Sequence, residues 1–192
     1  MERWNAEKAE AGMVIDTYLD NNVWDLLFDL RLDLCAELPP GEFRILITRE
    51  GEMEVTAIPE RRAELRAFIN GTIGRCGVEV DGHFGFRDDN LPPEEQRTMG
   101  FGSGRFITED ERDFAAHTPW RSDDPPRKPE VKLRRNEADV ALAARAFLGV
   151  VLTLDRKPGA LADAHRQGGK VVFLTGFEGS GLTLREFVET AL

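Results

Sequence analysis

The sequence has few of the features that mark membrane, secreted or disulfide-rich proteins. It contains no apolar run near the ~18 residues of a membrane span, and its first residues lack the basic and then apolar regions of a signal peptide. Its two cysteines, Cys35 and Cys76, are too few for a disulfide framework. We therefore expect a cytoplasmic protein without membrane attachment, in which each cysteine is a small core side chain.

Positive charge and histidine are also in short supply. The chain has 25 Lys and Arg against 35 Asp and Glu, for a net charge of −10, and three histidines. This balance argues against a general nucleic-acid coat, which needs a basic surface, and the histidines and cysteines form no zinc-binding pattern. The 192 residues, 41% of them hydrophobic, are enough for a proper core, and we expect a single domain over residues 1–192.

An aspartate follows the first apolar stretch of the chain. Residues 13–19 predict a buried parallel strand that ends at Asp20. Asn21 and Asn22 are good N-cap residues for an amphipathic helix whose apolar side chains recur between residues 23 and 34. A carboxylate at the carboxyl end of a parallel strand lies where open α/β sheets bind ligands. The alternative is that Asp20 only caps the helix.

Strand and helix patterns alternate along the rest of the chain, except in about residues 74–128. This segment is dense in glycine and proline and predicts an irregular insertion, acting as a mobile cover or partner-binding surface. The alternation predicts an α/β fold of three layers with a mostly parallel central sheet. Further strands are predicted at residues 43–47, 150–155 and 170–174, and helices at 49–58, 60–69, 108–116, 136–148, 160–166 and 183–192.

Four acids form a candidate site in this fold. Asp20 and Asp155 come at strand ends, while Glu54 and Asp139 lie on predicted helices. Glu50 lies one turn before Glu54 and is an alternative to it. Two of the acids also have ordinary structural explanations, because Asp139 fits the third position of a capping box and Asp155 can open a turn.

Three motifs resemble those of PIN-domain nucleases. Residues 18–24 resemble the opening of that family, in which a strand ends in Asp followed by a small polar residue and Asn. Residues 136–144 resemble the helix of its third acid, and residues 151–155 resemble its strand with Thr-x-Asp. Glu54 then corresponds to the second acid. The insertion departs from the compact members of the family without removing any of the four acids.

The resemblance implies a metal-dependent endoribonuclease with a PIN-like fold that hydrolyses phosphodiester bonds of single-stranded RNA. Hard carboxylate ligands select Mg²⁺ or Mn²⁺, which orient and deprotonate a water and stabilise charge on the phosphodiester. The implied catalytic and metal-binding residues are Asp20, Glu54, Asp139 and Asp155, with Asn22 and Thr153 holding the carboxylates in place.

A basic strip precedes the helix of Asp139. Residues 127–135 carry five cations against one anion, and Arg134 and Arg135 are placed to contact the phosphates of RNA. The alternative is a solvated loop. The resemblance also suggests a toxin with an antitoxin or another protein partner, and a homodimer. A non-catalytic member of the same fold, acting in protein or RNA binding, stays open as the alternative function.

Overall fold

A parallel β-sheet forms the centre of the computed structural model, which describes residues 14–120 and 132–192. Within these ranges the sheet has five strands in the order β3-β2-β1-β4-β5, and every neighbouring pair is parallel. The strands are β1 (Ile15–Leu19), β2 (Phe43–Thr48), β3 (Glu79–Asp81), β4 (Val150–Thr153) and β5 (Val171–Phe173).

Helices cover both faces of the sheet. Side chains of α1, α2, α4 and α8 pack in one apolar cluster, and side chains of α5, α6 and α7 pack in another. The helices are α1 (Asn21–Asp29), α2 (Leu34–Glu37), α3 (Arg49–Thr56), α4 (Ala63–Cys76), α5 (Glu109–His117), α6 (Glu137–Arg145), α7 (Ala160–Arg166) and α8 (Leu184–Ala191).

The strands are apolar on both faces because both faces are covered. Leu19, Ile45 and Ile47 lie in the first cluster, whereas Tyr18 and Leu46, their neighbours in sequence, lie in the second. Successive side chains of a strand point to opposite faces of a sheet, so both clusters need apolar residues from every central strand. The predicted three-layer α/β fold with a parallel sheet is confirmed.

The strand order contains a topological switch point between β1 and β4. β1 pairs with β2 on one side and with β4 on the other, so the two halves of the chain extend the sheet in opposite directions. Leu19 is in register with Leu152, and the amide of Asp20 donates to the carbonyl oxygen of Leu152 at 3.0 Å. The crevice at the carboxyl ends of these two strands is where such sheets bind ligands.

The first helix is shorter than predicted. The pattern between residues 23 and 34 predicts one helix, but α1 ends at Asp29 and the chain starts again as the short helix α2. Arg31 lies between them with a left-handed backbone, at φ 53°. Local periodicity continues through this turn because Leu34 is still buried, packed in the first cluster from a separate helix.

The segment of residues 74–128 is less irregular than predicted. It contributes β3, which pairs with β2 at the edge of the sheet, so the prediction of an irregular insertion is wrong there. The capping box predicted at Thr108 is confirmed, since Thr108 and Glu111 cap α5 reciprocally. Residues 121–128 lie outside the described residues.

Buried charges join this segment to the rest of the fold. Arg145 of α6 is 1% exposed and binds Asp81 at 2.5 Å and Glu111 at 3.1 Å. Arg105 binds the same two acids, at 2.7 Å and 2.5 Å, and the Tyr18 hydroxyl donates to Asp81 at 3.2 Å. We call Asp81, Arg105, Glu111 and Arg145 the buried charge network.

The two cysteines form a disulfide, which corrects the prediction of separate core side chains. Cys35 of α2 and Cys76 of α4 lie with their Cα atoms 5.4 Å apart and are bonded through sulfur. They are 41 residues apart in the chain, and sequence patterns do not show which distant residues meet. The structure contains no helix, within the residues it describes, that is long and apolar enough to cross a membrane.

Candidate functional site

Asp20 is held by side chains from two elements. It occupies the N-cap position of α1, but its side chain makes no capping hydrogen bond. Its Oδ2 atom instead accepts hydrogen bonds from Thr153 Oγ1 at 2.6 Å and from Asn22 Nδ2 at 2.5 Å. A simple capping role therefore does not describe Asp20, whose carboxylate is fixed at the switch point between β1 and β4.

Asn22 and Thr153 lock the two strand ends together. The amide of Leu154 donates to Asn22 Oδ1 at 2.9 Å, and the amide of Asp155 donates to Thr153 Oγ1 at 2.9 Å. Thr153 is fully buried. The start of α1 and the end of β4 are thus joined through the same two side chains that bind Asp20. The structure brings these residues together as expected, while their role around a metal stays a prediction.

Asp155 and Asp139 reach the same edge from different elements. Asp155 is exposed after β4, and its Oδ1 accepts from the amide of Lys157 at 2.9 Å, so it does open a turn. Asp139 is exposed in the first turn of α6. The expected capping box is absent there, because Asn136 has φ 59° and its side chain donates to the carbonyl oxygen of Trp120. Asp139 is therefore not engaged in capping.

The three aspartates influence one another electrostatically. Burial raises the pKa of Asp20, and repulsion from Asp155 raises it further. The hydrogen bonds from Thr153 and Asn22 act in the opposite direction but do not cancel this increase. Although the Asp139 residue is exposed overall, the protein around its carboxyl group partly desolvates it and raises its pKa, and repulsion from Asp20 and Asp155 raises it further. Like charges brought close together disfavour ionisation in this way. Three of the four predicted acids therefore form one cluster, which we call the aspartate cluster.

Glu54 and Glu50 occupy different surroundings although they share a helix face. Glu54 accepts a hydrogen bond at 2.5 Å from Nδ2 of Asn21, the residue that follows Asp20 in the chain. Glu50 lines a large cavity together with His83. Of the two candidates for the second acid, Glu54 is therefore the one tied to the first turn of α1.

The predicted phosphate-binding residues lie just before α6. Arg134 and Arg135 are both exposed, and the backbone amide of Arg134 donates to Glu137 at 2.7 Å. Arg134 also lines the cavity that contains Glu50. Residues 127–131 of the basic strip lie outside the described residues, so the strip is represented by its last part.

Sequence reasoning missed a second pair of cations at the aspartate cluster. Arg156 and Lys157 are exposed immediately after Asp155. Together with Asn22 and Leu154 they line an open pocket of about 470 Å³. The signal was present in the sequence, because two cations directly follow a candidate metal-binding acid, and phosphate contacts in nucleic-acid sites come from such side chains.

Comparisons with family models, curated proteins and solved structures found no match to this chain. What the protein does is therefore argued from the fold and the site. The fold is a parallel α/β sheet with a switch point between β1 and β4. The site is a cluster of three aspartates beside that point, with exposed cations next to it.

Proposed function

We propose that this chain is a Mg²⁺- or Mn²⁺-dependent endoribonuclease of the PIN-domain type, which hydrolyses phosphodiester bonds of single-stranded RNA. The observation that carries the proposal is the Asp20 carboxylate held at the switch point by Thr153 and Asn22, with Asp155 and Asp139 close enough to interact with it electrostatically. Acidic groups with perturbed pKa values in a ligand-binding crevice are candidates for function. The RNA substrate comes from the resemblance of the three motifs.

The aspartate cluster suits a divalent cation by the chemistry of its donors; the carboxylate oxygens of its three residues do not all lie within 4.8 Å of one another in this structure. Their donors are carboxylate oxygens, the ligands that Mg²⁺ and Mn²⁺ prefer, and a cation would relieve the repulsion that raises the pKa of Asp20 and Asp139. Asp20, Asp139 and Asp155 would hold the ion, with Glu54 as a further ligand or a partner of the attacking water. A bound ion supplies an activated water and stabilises negative charge on the phosphodiester.

The other residues of the site orient the carboxylates or contact the RNA. Asn22 and Thr153 keep the Asp20 carboxylate in one orientation through two hydrogen bonds to the same oxygen, which is how partners of metal ligands act. Asn21 holds Glu54 in the same manner. Exposed arginines and lysines on both sides of the cluster contact backbone phosphates. These cations are Arg134 and Arg135 before α6, and Arg156 and Lys157 after β4.

The proposed partners follow from the same resemblance, and the proposed compartment follows from the lack of a signal peptide pattern. An antitoxin or another protein would restrain the nuclease, a homodimer is the expected assembly, and the cytoplasm is the expected compartment. The disulfide between Cys35 and Cys76 weighs against a reducing compartment, where disulfides are rare. Thiol labelling of the protein in intact cells tests the location, because free thiols at both positions fit the cytoplasm and an intact disulfide contradicts it.

Cleavage of a labelled single-stranded RNA by the purified chain tests the nuclease. We expect cleavage with Mn²⁺ or Mg²⁺ and none in EDTA. Asp20→Asn and Asp139→Asn should each lower turnover by about 100-fold or more, because a metal site contributes several kcal/mol to the transition state. Asp16→Asn is the matched control, since Asp16 lies on the same strand but pairs with Arg44.

Two results would contradict this assignment. Cleavage that survives EDTA, or that survives both Asp20→Asn and Asp139→Asn, places the chemistry elsewhere. RNA binding without any cleavage in Mn²⁺ favours the alternative function, a non-catalytic module of the same fold that binds RNA or protein.

A further inference from the structure

A cavity of about 700 Å³ lies between α6 and the segment that contains His83 and Ile107. Its volume is within the range of ligand sites in proteins. Leu91, Ile107 and Val140 give it apolar walls, and charged side chains from three elements surround them. It is distinct from the open pocket beside Asp155, which Arg156 and Lys157 line.

Glu50 is an acid in this cavity with one carboxylate oxygen that has no hydrogen-bond partner. This atom, Oε2, is buried, and no ion pair involves Glu50 in the described residues. Burial raises the pKa of Glu50, and its own backbone amide and the charge of Arg145 partly oppose that effect. A buried carboxylate oxygen without a donor is unfavourable, so a ligand that brings an N–H donor to Oε2 of Glu50 gains binding free energy.

The cations around the cavity already have acidic partners. Arg145 is bound within the buried charge network, Arg97 pairs with Glu137 at 3.0 Å, and Lys132 pairs with Glu95 at 3.4 Å. The Lys132 side chain is half exposed, and an exposed pair of this kind is weak enough to exchange for another anion. The cavity thus offers an acceptor in its interior and exchangeable positive charge at its rim.

A guanine nucleotide matches this arrangement. The N1–H and N2–H groups of guanine point the same way and suit the two oxygens of a carboxylate. Adenine and cytosine place an acceptor next to their amino donor, and uracil has one N–H between two carbonyls. A flat base also fits between apolar walls. The N1–H and N2–H groups lie on the Watson–Crick edge, where proteins form hydrogen bonds to unstacked RNA bases. The phosphate can then meet the exposed cations Lys132 and Arg134.

We propose that this cavity binds the guanine base of a nucleotide, with Glu50 accepting its N1–H and N2–H groups and Lys132 and Arg134 contacting its phosphate. For a guanine within RNA, the inference rests on the proposed nuclease function and adds base selection to it. Glu137 lines the cavity and lies two residues from Asp139 on α6. The helix that carries Asp139 thus also borders the base site.

Binding of GMP and UMP, measured by calorimetry in EDTA, tests the site without any contribution from a metal. GMP should bind at least about tenfold more tightly than UMP, and Glu50→Gln should remove this preference, in line with a bidentate base contact. Glu94→Gln is the matched control, because Glu94 is exposed outside the cavity and should leave GMP affinity unchanged. Ala141→Leu, which narrows the cavity beside α6, should weaken GMP binding without altering Glu50.

Two further measurements show whether the bound guanine belongs to RNA or to a free nucleotide, and whether the base site exists without nuclease activity. The RNA pentamers UUGUU and UUUUU distinguish a guanine in RNA, which predicts tighter binding of UUGUU, from a free nucleotide, which predicts preference for GMP alone. Equal affinity for GMP and UMP, or GMP affinity unchanged by Glu50→Gln and by Ala141→Leu, overturns the proposal. Glu50-dependent GMP binding by a protein that cleaves no RNA refutes the nuclease and keeps the base site.

Discussion

The carboxyl group of Asp20 combines a fixed position with an unfavourable charge. Its raised pKa means that the folded state holds the ionised form less well than the unfolded chain does. Stability from such a group is greatest below its ordinary pKa and falls as the pH rises through the raised value. At neutral pH the aspartate cluster therefore destabilises the metal-free protein, a trade-off expected at functional sites.

Asp20→Asn should raise the melting temperature of the metal-free protein at neutral pH. The asparagine removes one like charge, and its carbonyl oxygen can still accept from Thr153 and Asn22. Mn²⁺ at ~100 times its dissociation constant should stabilise the wild type by about 2.7 kcal/mol through linkage, and this shift should shrink in Asp20→Asn. Scanning calorimetry with EDTA or Mn²⁺ measures both quantities.

Asp16→Asn gives the matched comparison for that measurement. Asp16 accepts two hydrogen bonds from Arg44 at the start of the sheet, away from the switch point, so its Mn²⁺ shift should equal that of the wild type. A shift lost in Asp16→Asn and kept in Asp20→Asn would place the metal four residues earlier in the chain.

At the scale of secondary-structure elements, the buried charge network decides how β3, α5 and α6 hold together. Burial opposes ionisation of Glu111, but the hydrogen bonds from Arg105 lower its pKa below the ordinary value. The pKa of Asp81 is lowered by Arg105 and Arg145 in the same way. Groups with lowered pKa values stabilise the fold above their ordinary pKa. Removal of the segment of residues 74–128 would leave the buried Arg145 without its acids.

Glu111→Gln should destabilise the protein by about 3–5 kcal/mol, because it leaves buried arginine charge unmatched. Urea unfolding at neutral pH measures this loss. Glu109→Gln on the same helix is the control, since Glu109 is 81% exposed and its pair with Arg112 is a surface pair with little effect. The wild type should also lose stability as the pH falls below 4.5, the ordinary pKa of Glu111; equal stability of both variants would contradict the network's role.

The disulfide between Cys35 and Cys76 links α2 to α4. It closes a loop of 41 residues, and the chain-entropy estimate for such a loop is about 4 kcal/mol. Unfolding in urea with and without a reductant should show a loss of this order, and Cys35→Ala with Cys76→Ala should reproduce it without reductant. A reductant that leaves the unfolding midpoint unchanged would contradict a stabilising disulfide.

At the scale of the whole molecule, the strand order brings the candidate site together. Asp20 follows β1 and Asp155 follows β4, and these strands are neighbours only because the two halves of the chain extend the sheet in opposite directions. Thr153 and Asp20, which are 133 residues apart in the chain, meet through a hydrogen bond of 2.6 Å. The base site lies on the α6 side, so one helix borders both.

Sequence periodicity predicted the fold class, and the features that it did not predict have identifiable structural causes. Continuous apolar runs bounded by turns predicted β1, β2, β4 and β5, since central strands are covered on both faces. β3 was not predicted because it has only three residues and lies at the edge of the sheet, with one residue exposed and one half-buried. The sequence also did not show that Glu50 and Glu54 have different surroundings. Both lie on one helix face, and only the packing of that helix against other elements places them in different sites.

The sequence by itself determined the α/β class, the order of the strands and helices other than β3 and the separate helix α2, and the positions of the acids at strand ends. These features depend on side-chain period and on capping, which act between residues close in the chain. The tertiary structure decided the strand order, the union of Asp20, Asp139 and Asp155, the disulfide and the buried charge network. Each of these joins residues distant in the chain, and their contacts are fixed by the packing of the whole sheet and its helices.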